Sequence, residues 1–176
     1  MRIVESVTSS DLIQGMDILK LDTFQDYRGE IWTVYSEEYV DSSFVADKVT
    51  ISRFGVLRGF HGDPYTAKLI TCLSGQMQFA VLDLRENSPT YGNVENLIIS
   101  DNEPTVVFVP AGCVNAHLSL SDKCVFYYKW SKEYNGPESQ VTVSWDDPDV
   151  GIDWVIKNPI LSERDKKGLP YKGIKL

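Results

Sequence analysis

Short stretches in which apolar and polar residues alternate, or in which β-branched and aromatic residues run together, recur along most of the chain. Such stretches are typical of β-strands. The strongest of them cover residues 30–36, 47–54, 68–75, 76–84, 95–100, 105–110, 124–130 and 140–145. The segments between them are rich in Gly, Pro, Asn, Asp and Ser, which favour turns. Helical spacing of apolar residues is confined to 41–47 and 161–167.

This succession of short strands predicts an all-β fold, an antiparallel jelly roll or barrel with short helical segments. The 176 residues are enough for one domain with a substantial core. No repeat, low-complexity run or Pro/Ser-rich linker divides the sequence. We therefore expect residues 1–176 to form a single domain.

Composition narrows the possible partners, the state of the cysteines and the location of the protein. The formal net charge of -8 argues against nucleic acid, because phosphates require clustered Lys and Arg. Three cysteines without CxxC spacing favour reduced, packed thiols over a disulfide framework or a zinc site. The chain has no apolar h-region at its start and no apolar run of about 18 residues. We expect a cytoplasmic protein without a membrane segment.

Polar residues at inward positions of the predicted barrel are candidates for chemistry: His61, Lys68, His117 and Tyr128. The two histidines are far apart and form no H-x-H pair, so we expect no metal. The chain also lacks a G-x-S-x-G elbow and a dinucleotide-binding glycine pattern in its proper context. Proton abstraction next to a carbonyl suits these side chains better, since it needs a base, a cation at the developing enolate and an acid.

Eight blocks of sequence follow one another along the chain: "FQDYRGEI", "VLRGFH", "KLITCLSG", "DLRENSPTYG", "VPAGCVNAHLSLS", "FYYKWSKEY", "WDDPDVGIDW" and "PILSERD". Together and in this order they resemble the dTDP-4-dehydrorhamnose 3,5-epimerase family. The resemblance extends from about Asp22 to Asp165, most of the chain.

The resemblance implies a double-stranded β-helix, which is a cupin-like jelly roll. It also implies a homodimer with exchanged N-terminal strands, acting on a nucleotide-linked 4-keto sugar without a metal or organic cofactor. Its catalytic residues correspond to His61 as base, Asp165 as the partner of His61, Lys68 as the group that stabilises the enolate, and Tyr128 as the acid on the opposite face.

The resemblance assigns substrate contacts as well. Phosphate contacts fall on Arg58, His117 and Arg28, with Arg28 reaching the ligand of the partner subunit, and Tyr134 matches a ligand-contacting aromatic residue. Structural alternatives stay open for three of them. Arg28 and Tyr134 could be turn residues, and His117 could cap the turn after Gly112.

Some positions depart from the family pattern. In "RGEIWT" the residues Glu30, Ile31 and Thr33 stand where aromatic and acidic contacts to thymine are usual. Ala46 and Lys48 replace a Q-x-N pair, and Phe79 replaces an inward aspartate. The "HGD-x-x-T-x-KL" variant is similar to a branch that acts on GDP-linked 4-keto heptoses in bacterial capsule synthesis.

These departures lead us to expect a 3-, 5- or 3,5-epimerase of a GDP-4-keto heptose or hexose in surface polysaccharide synthesis. The alternative substrate is dTDP-4-dehydro-6-deoxyglucose, as in dTDP-rhamnose synthesis. Two other functions remain open: a 3,4-ketoisomerase, whose usual paired histidines are missing here, and a non-catalytic jelly roll that binds sugar nucleotides.

Overall fold

The computed structural model describes residues 3–176, which are almost entirely strands and loops. The strands are β1 (Val4–Ser9), β2 (Asp17–Leu21), β3 (Thr23–Asp26), β4 (Gly29–Trp32), β5 (Ala46–Ser52), β6 (Leu57–Gly62), β7 (Lys68–Ser74), β8 (Gln76–Asp83), β9 (Val94–Ser100), β10 (Thr105–Val109), β11 (Cys113–Ser119), β12 (Cys124–Trp130) and β13 (Val141–Thr142). Two single turns of 3₁₀ helix cover Pro137–Ser139 and Asp165–Lys167. The all-β prediction is confirmed.

Two antiparallel sheets form the body of the jelly roll. One has the strand order β1-β2-β10-β7-β12-β5, and the other has the order β13-β6-β11-β8-β9. Strands β3 and β4 form a separate hairpin. Most neighbours within a sheet are distant in sequence, so the cavity between the sheets collects side chains from remote parts of the chain.

The long apolar run of β8 is explained by burial on both faces. Phe79 and Val81 belong to the cluster between the two sheets, whereas Ala80 and Leu82 pack with the C-terminal segment that covers the outside of β8. Since alternate strand residues point to opposite faces, both sets must be apolar. Cys72, Cys113 and Cys124 are free and buried, as predicted.

Several predicted elements differ from those observed. The segment 41–47 is not helical, because Ala46 and the residues after it pair with β12, and such tertiary pairing overrides a weak local preference. The strand predicted at 30–36 ends at Trp32, and that at 140–145 spans only Val141–Thr142. The C-terminal helical segment is confirmed, but as one turn.

The strand pattern failed to predict five elements: β1, β2, β3, β6 and β11. Strand β1 is mostly exposed, so it lacks the apolar alternation of a half-buried strand. Strand β6 contains two glycines, which are depleted in strands. No helix in the described part of the chain, residues 3–176, is long and apolar enough to cross a membrane.

Candidate active site

A cavity of about 390 Å³ opens between the two sheets and brings together most of the predicted site residues. Its lining includes Arg58, His61, Lys68, His117, Tyr128, Tyr134 and Asp165. Arg28 is the only predicted site residue that does not line it. The sequence-based selection therefore identifies one site, with a single residue elsewhere.

Close packing of β6 against β11 positions the base. A Cβ atom at Gly62 would lie 2.5 Å from the carbonyl oxygen of Cys113, and one at Gly59 would lie 2.5 Å from that of Asn115. Only glycine permits this approach without displacing the backbone. Strand β6 thereby holds His61 against the floor of the cavity, directly across from Asn115 in the ladder.

His61 and Asp165 form a hydrogen-bonded dyad. The Nε2–H of His61 donates to Oδ1 of Asp165 over 2.6 Å. The other carboxylate oxygen accepts from the hydroxyl of Ser162 at 2.7 Å, and the Asp165 backbone N–H donates to that hydroxyl oxygen. Because Asp165 holds the proton on Nε2, the lone pair of Nδ1 is free to act as a base.

Burial and charge set the protonation state of the dyad. Burial lowers the pKa of His61 below its usual 6.5, and this outweighs the opposite effect of Asp165. Burial raises the pKa of Asp165, but the hydrogen bond and charge of His61, with the bond from Ser162, bring that pKa below its usual value. At neutral pH the dyad is a carboxylate beside a neutral imidazole, which is the state a general base requires.

Lys68 is a buried cation in the cavity wall, with a residue exposure of 3%. Its ammonium donates to the carbonyl oxygen of His61 at 3.0 Å and to Oδ1 of Asn115 at 2.7 Å. Burial is the main reason that its pKa falls to about 8, and the charges of Lys48 and Arg164 lower it further. Lys68 therefore carries a positive charge at neutral pH with one N–H left for a ligand.

Strand β12 supplies the phenol. Tyr128 lines the cavity between Phe126 and Trp130, with ring centroids 4.8 and 5.8 Å away. Its neighbour Tyr127 does not line the cavity and points the other way, as alternation along a strand requires. Only one of these two adjacent tyrosines can face the cavity, and it is Tyr128.

His117 is held neutral by its surroundings. Its ring stacks on Phe126 at 4.1 Å between centroids, and its Nε2 has no hydrogen-bond partner within residues 3–176. Burial lowers its pKa to about 3, and the charge of Arg58 adds to that effect. A buried nitrogen without a partner is costly unless a ligand satisfies it. This favours the ligand-binding alternative for His117 over the turn cap.

The remaining predicted contacts separate into two groups. Arg58 lines the cavity and donates to the hydroxyl of Ser52 at 3.1 Å, and Tyr134 lies edge-on to Trp130. Arg28 lies at the tip of the β3–β4 hairpin, exposed and paired with Asp26 at 2.6 Å. Arg28 does not line the cavity of its own chain.

The sequence analysis did not assign a role to several lining residues. They are Lys48, Thr50, Asn115, Phe126, Trp130, Gln140, Ser162 and Arg164. Alternation along the strands could have identified some of them. Residues 48 and 50 lie on one face of β5, and residues 126, 128 and 130 lie on one face of β12. Buried nitrogens of Trp130, Gln140 and Arg164 have no partner in the described chain, which adds donors for a ligand.

Comparison with known proteins gives consistent results. The family model for dTDP-4-dehydrorhamnose 3,5-epimerase matches residues 11–172. A dTDP-4-dehydrorhamnose 3,5-epimerase from Methanothermobacter thermautotrophicus is 33% identical over 170 residues, covering 91% of each chain. The chain belongs to the dTDP-4-dehydrorhamnose 3,5-epimerase family. The family resemblance of the eight sequence blocks is thereby confirmed.

Two solved structures extend the similarity of this family member to three dimensions. An epimerase from Legionella pneumophila, in complex with dTDP-4-keto-L-rhamnose, superposes with a TM-score of 0.89 at 27% identity over 97% of this chain and 94% of that one. An enzyme from Elizabethkingia anophelis gives 0.86 at 34% identity over 95% and 96%. The chain is therefore an isomerase with the jelly-roll fold of its family, and both predictions are confirmed.

His117 gives this epimerase a specific pH dependence of stability. Its pKa is about 3 in the folded protein and about 6.5 when unfolded, so below pH 6.5 the unfolded chain binds more protons. Stability should therefore fall with falling pH by up to about 1.4 kcal/mol per pH unit from this group. In denaturant titrations, His117→Phe should lose about 2 kcal/mol less than wild type between pH 7 and pH 5. Equal losses would contradict a neutral, buried His117.

Proposed function

We propose that the protein epimerises a dTDP-linked 4-keto-6-deoxy sugar at C3, C5 or both. The observation that carries this proposal is the presence of the His61–Asp165 dyad, Lys68 and Tyr128 in the lining of one cavity. Removing a proton next to a ketone and returning one to the opposite face requires a base, an oxyanion donor and an acid in one site.

His61 is the base in this scheme. Its Nδ1 lone pair takes the proton from the carbon beside the ketone, and the C–H electrons move into the carbonyl to form an enolate. The imidazolium that results lies 2.6 Å from the Asp165 carboxylate, which stabilises it. Asp165 itself stays ionised throughout.

Lys68 stabilises the enolate oxygen. Asn115 and the carbonyl of His61 hold its ammonium in place, so little reorganisation is needed when charge develops on the sugar. A fixed and buried cation interacts more strongly with a developing negative charge than a cation in solution does.

Tyr128 returns the proton. Its phenol lies on β12 in one sheet, whereas His61 lies on β6 in the other. A ring placed between the sheets would meet the base on one face and the acid on the other. Protonation from the Tyr128 side then inverts the carbon.

For the nucleotide of the substrate, we propose dTDP, the alternative in the sequence analysis, in place of the expected GDP. The curated relative and the Legionella enzyme described above carry dTDP in their names or bound ligand. No GDP-linked relative supports the heptose branch among them. We therefore assign dTDP, even though Glu30, Ile31 and Thr33 depart from the usual thymine-contacting residues.

Solvent exchange tests this function. Wild-type protein is incubated in D₂O with dTDP- and GDP-linked 4-keto sugars, and mass and proton spectra of the products are recorded. We expect deuterium at C3, C5 or both, with inversion, in the dTDP series. A ketone moved to C3 would indicate a ketoisomerase, and the absence of exchange with every sugar would indicate a binding module; either result contradicts the proposal.

The same proposal includes a homodimer that completes the site through Arg28. The β3–β4 hairpin exposes Phe24, Tyr27 and Ile31, an apolar surface that a second copy of the chain would cover. Light scattering should give the mass of two chains.

Arg28→Met should weaken dTDP binding about 10-fold without changing that mass, since a charged hydrogen bond to phosphate is lost. A monomer, or unchanged affinity, would contradict this part of the proposal.

A further inference from the structure

Lys48 is a cation that the scheme above does not use. Its side chain lines the cavity from β5, and its ammonium lies 4.2 Å from the ring centroid of Trp130 and 3.6 Å from that of Tyr134. Contacts of this kind attract an ammonium to the ring faces and fix its position. Lys48 is therefore held over the cavity, unlike a lysine that extends freely into solvent.

No carboxylate among residues 3–176 forms a salt bridge with this ammonium. Glu133 is near enough to raise the pKa of Lys48 against the lowering caused by burial. The cavity lining contains four Lys or Arg side chains and one carboxylate, that of Asp165. Such a lining favours a ligand rich in anionic oxygen.

The register of β5 places Lys48 away from the expected phosphate contact. Lys48 and Ser52 share the inward face of β5, and Ser52 holds Arg58. Four residues of strand separate their Cα atoms by about 13 Å. Lys48 instead lies directly opposite Tyr128 in the β5–β12 ladder. It therefore belongs to the end of the cavity where the proposed acid lies.

We propose that Lys48 determines substrate specificity by donating a hydrogen bond to an oxygen of the sugar ring or its substituents. The identity of the sugar in this inference rests on the proposed function. The contact with the sugar is inferred from the position of Lys48 beside Tyr128. Lys48 thus recognises the sugar part of the substrate, whereas Arg58 recognises the diphosphate. A sugar nucleotide should lose affinity when Lys48 is replaced, and a bare nucleoside diphosphate should not.

Calorimetry with dTDP and dTDP-glucose, which has no ketone to be turned over, separates the two contacts. For Lys48→Met we expect binding of dTDP-glucose to weaken about 10- to 100-fold, the loss of one charged hydrogen bond. Binding of dTDP should change by less than about 3-fold, and Lys48→Arg should restore much of the lost affinity. If wild type binds only guanine nucleotides, GDP and GDP-glucose replace the pair.

Lys129→Met is the matched control. Lys129 also lies over an aromatic ring, Tyr35 at 4.9 Å, but it bonds to Asp47 and does not line the cavity. Its replacement should leave both affinities unchanged, and thermal unfolding confirms that each variant is folded. Equal weakening of dTDP and dTDP-glucose by Lys48→Met would assign Lys48 to the phosphates, and no weakening of either would make it structural. Both results overturn the inference, and neither depends on whether wild type exchanges protons in D₂O.

Discussion

Replacing His61 by Asn should lower kcat by about 10²- to 10⁴-fold with a 4-keto sugar nucleotide. The amide fills much of the space of the imidazole but cannot accept the proton, and general base catalysis contributes about 10²- to 10⁴-fold. Solvent exchange should disappear together with epimerisation, because both begin with the same proton abstraction. Stopped time courses in D₂O, analysed by mass, measure the two together.

Two controls show whether this loss is catalytic. The affinity for dTDP should stay within about 3-fold of wild type, because His61 is not among the phosphate contacts. Asp165→Asn keeps the imidazole but removes the charge that orients it 2.6 Å away, so its loss should be smaller than that of His61→Asn. A kcat reduced less than 10-fold by His61→Asn would exclude His61 as the base.

Replacing Tyr128 by Phe should separate exchange from inversion. His61 can still remove the proton and return a deuteron on the same face, so deuterium should enter the substrate at a rate within about 10-fold of wild type. Inversion should fall about 10²- to 10⁴-fold, because the acid on the opposite face is gone. Proton spectra of recovered substrate and product measure both processes in one sample.

Tyr127→Phe is the control for this variant. Tyr127 is the adjacent residue on β12, but it does not line the cavity, so its loss should change neither exchange nor inversion. If Tyr128→Phe lost exchange and inversion in parallel, Tyr128 would act in the first step, and its assignment as the returning acid would be wrong.

Local sequence predicted the strands whose burial is simplest. Strands β7 and β8 have strong apolar runs because the sheets and the C-terminal segment bury them, and both were predicted. Strand β6 was not predicted. Its glycines permit close packing against β11, but they interrupt the local pattern of a strand. The 41–47 segment was predicted wrongly because it runs into β5 at Ala46, and the partner of β5, β12, lies far away in sequence.

The sequence likewise predicted some of the site residues and not others. Pattern alone selected His61, Lys68, His117 and Tyr128 as inward polar residues, and all four line the cavity. The pairing of His61 with Asp165 joins residues 104 positions apart, so no local pattern could indicate it, and only the family resemblance did.

The roles of Asn115 and Lys48 could not be predicted from sequence for a different reason. Asn115 matters because its side chain accepts a hydrogen bond from Lys68, and Lys48 matters because Trp130 and Tyr134 hold its ammonium. Both facts depend on side-chain directions that the ladder sets only after folding.

A crystal structure of wild-type protein with dTDP-glucose tests the central claim most directly. We expect Nδ1 of His61 and Oη of Tyr128 within about 3.5 Å of C3 or C5 on opposite faces of the sugar ring, with Nζ of Lys68 within hydrogen-bond distance of O4. Both groups on the same face, or the ring bound with O4 away from Lys68, would contradict proton transfer across the ring.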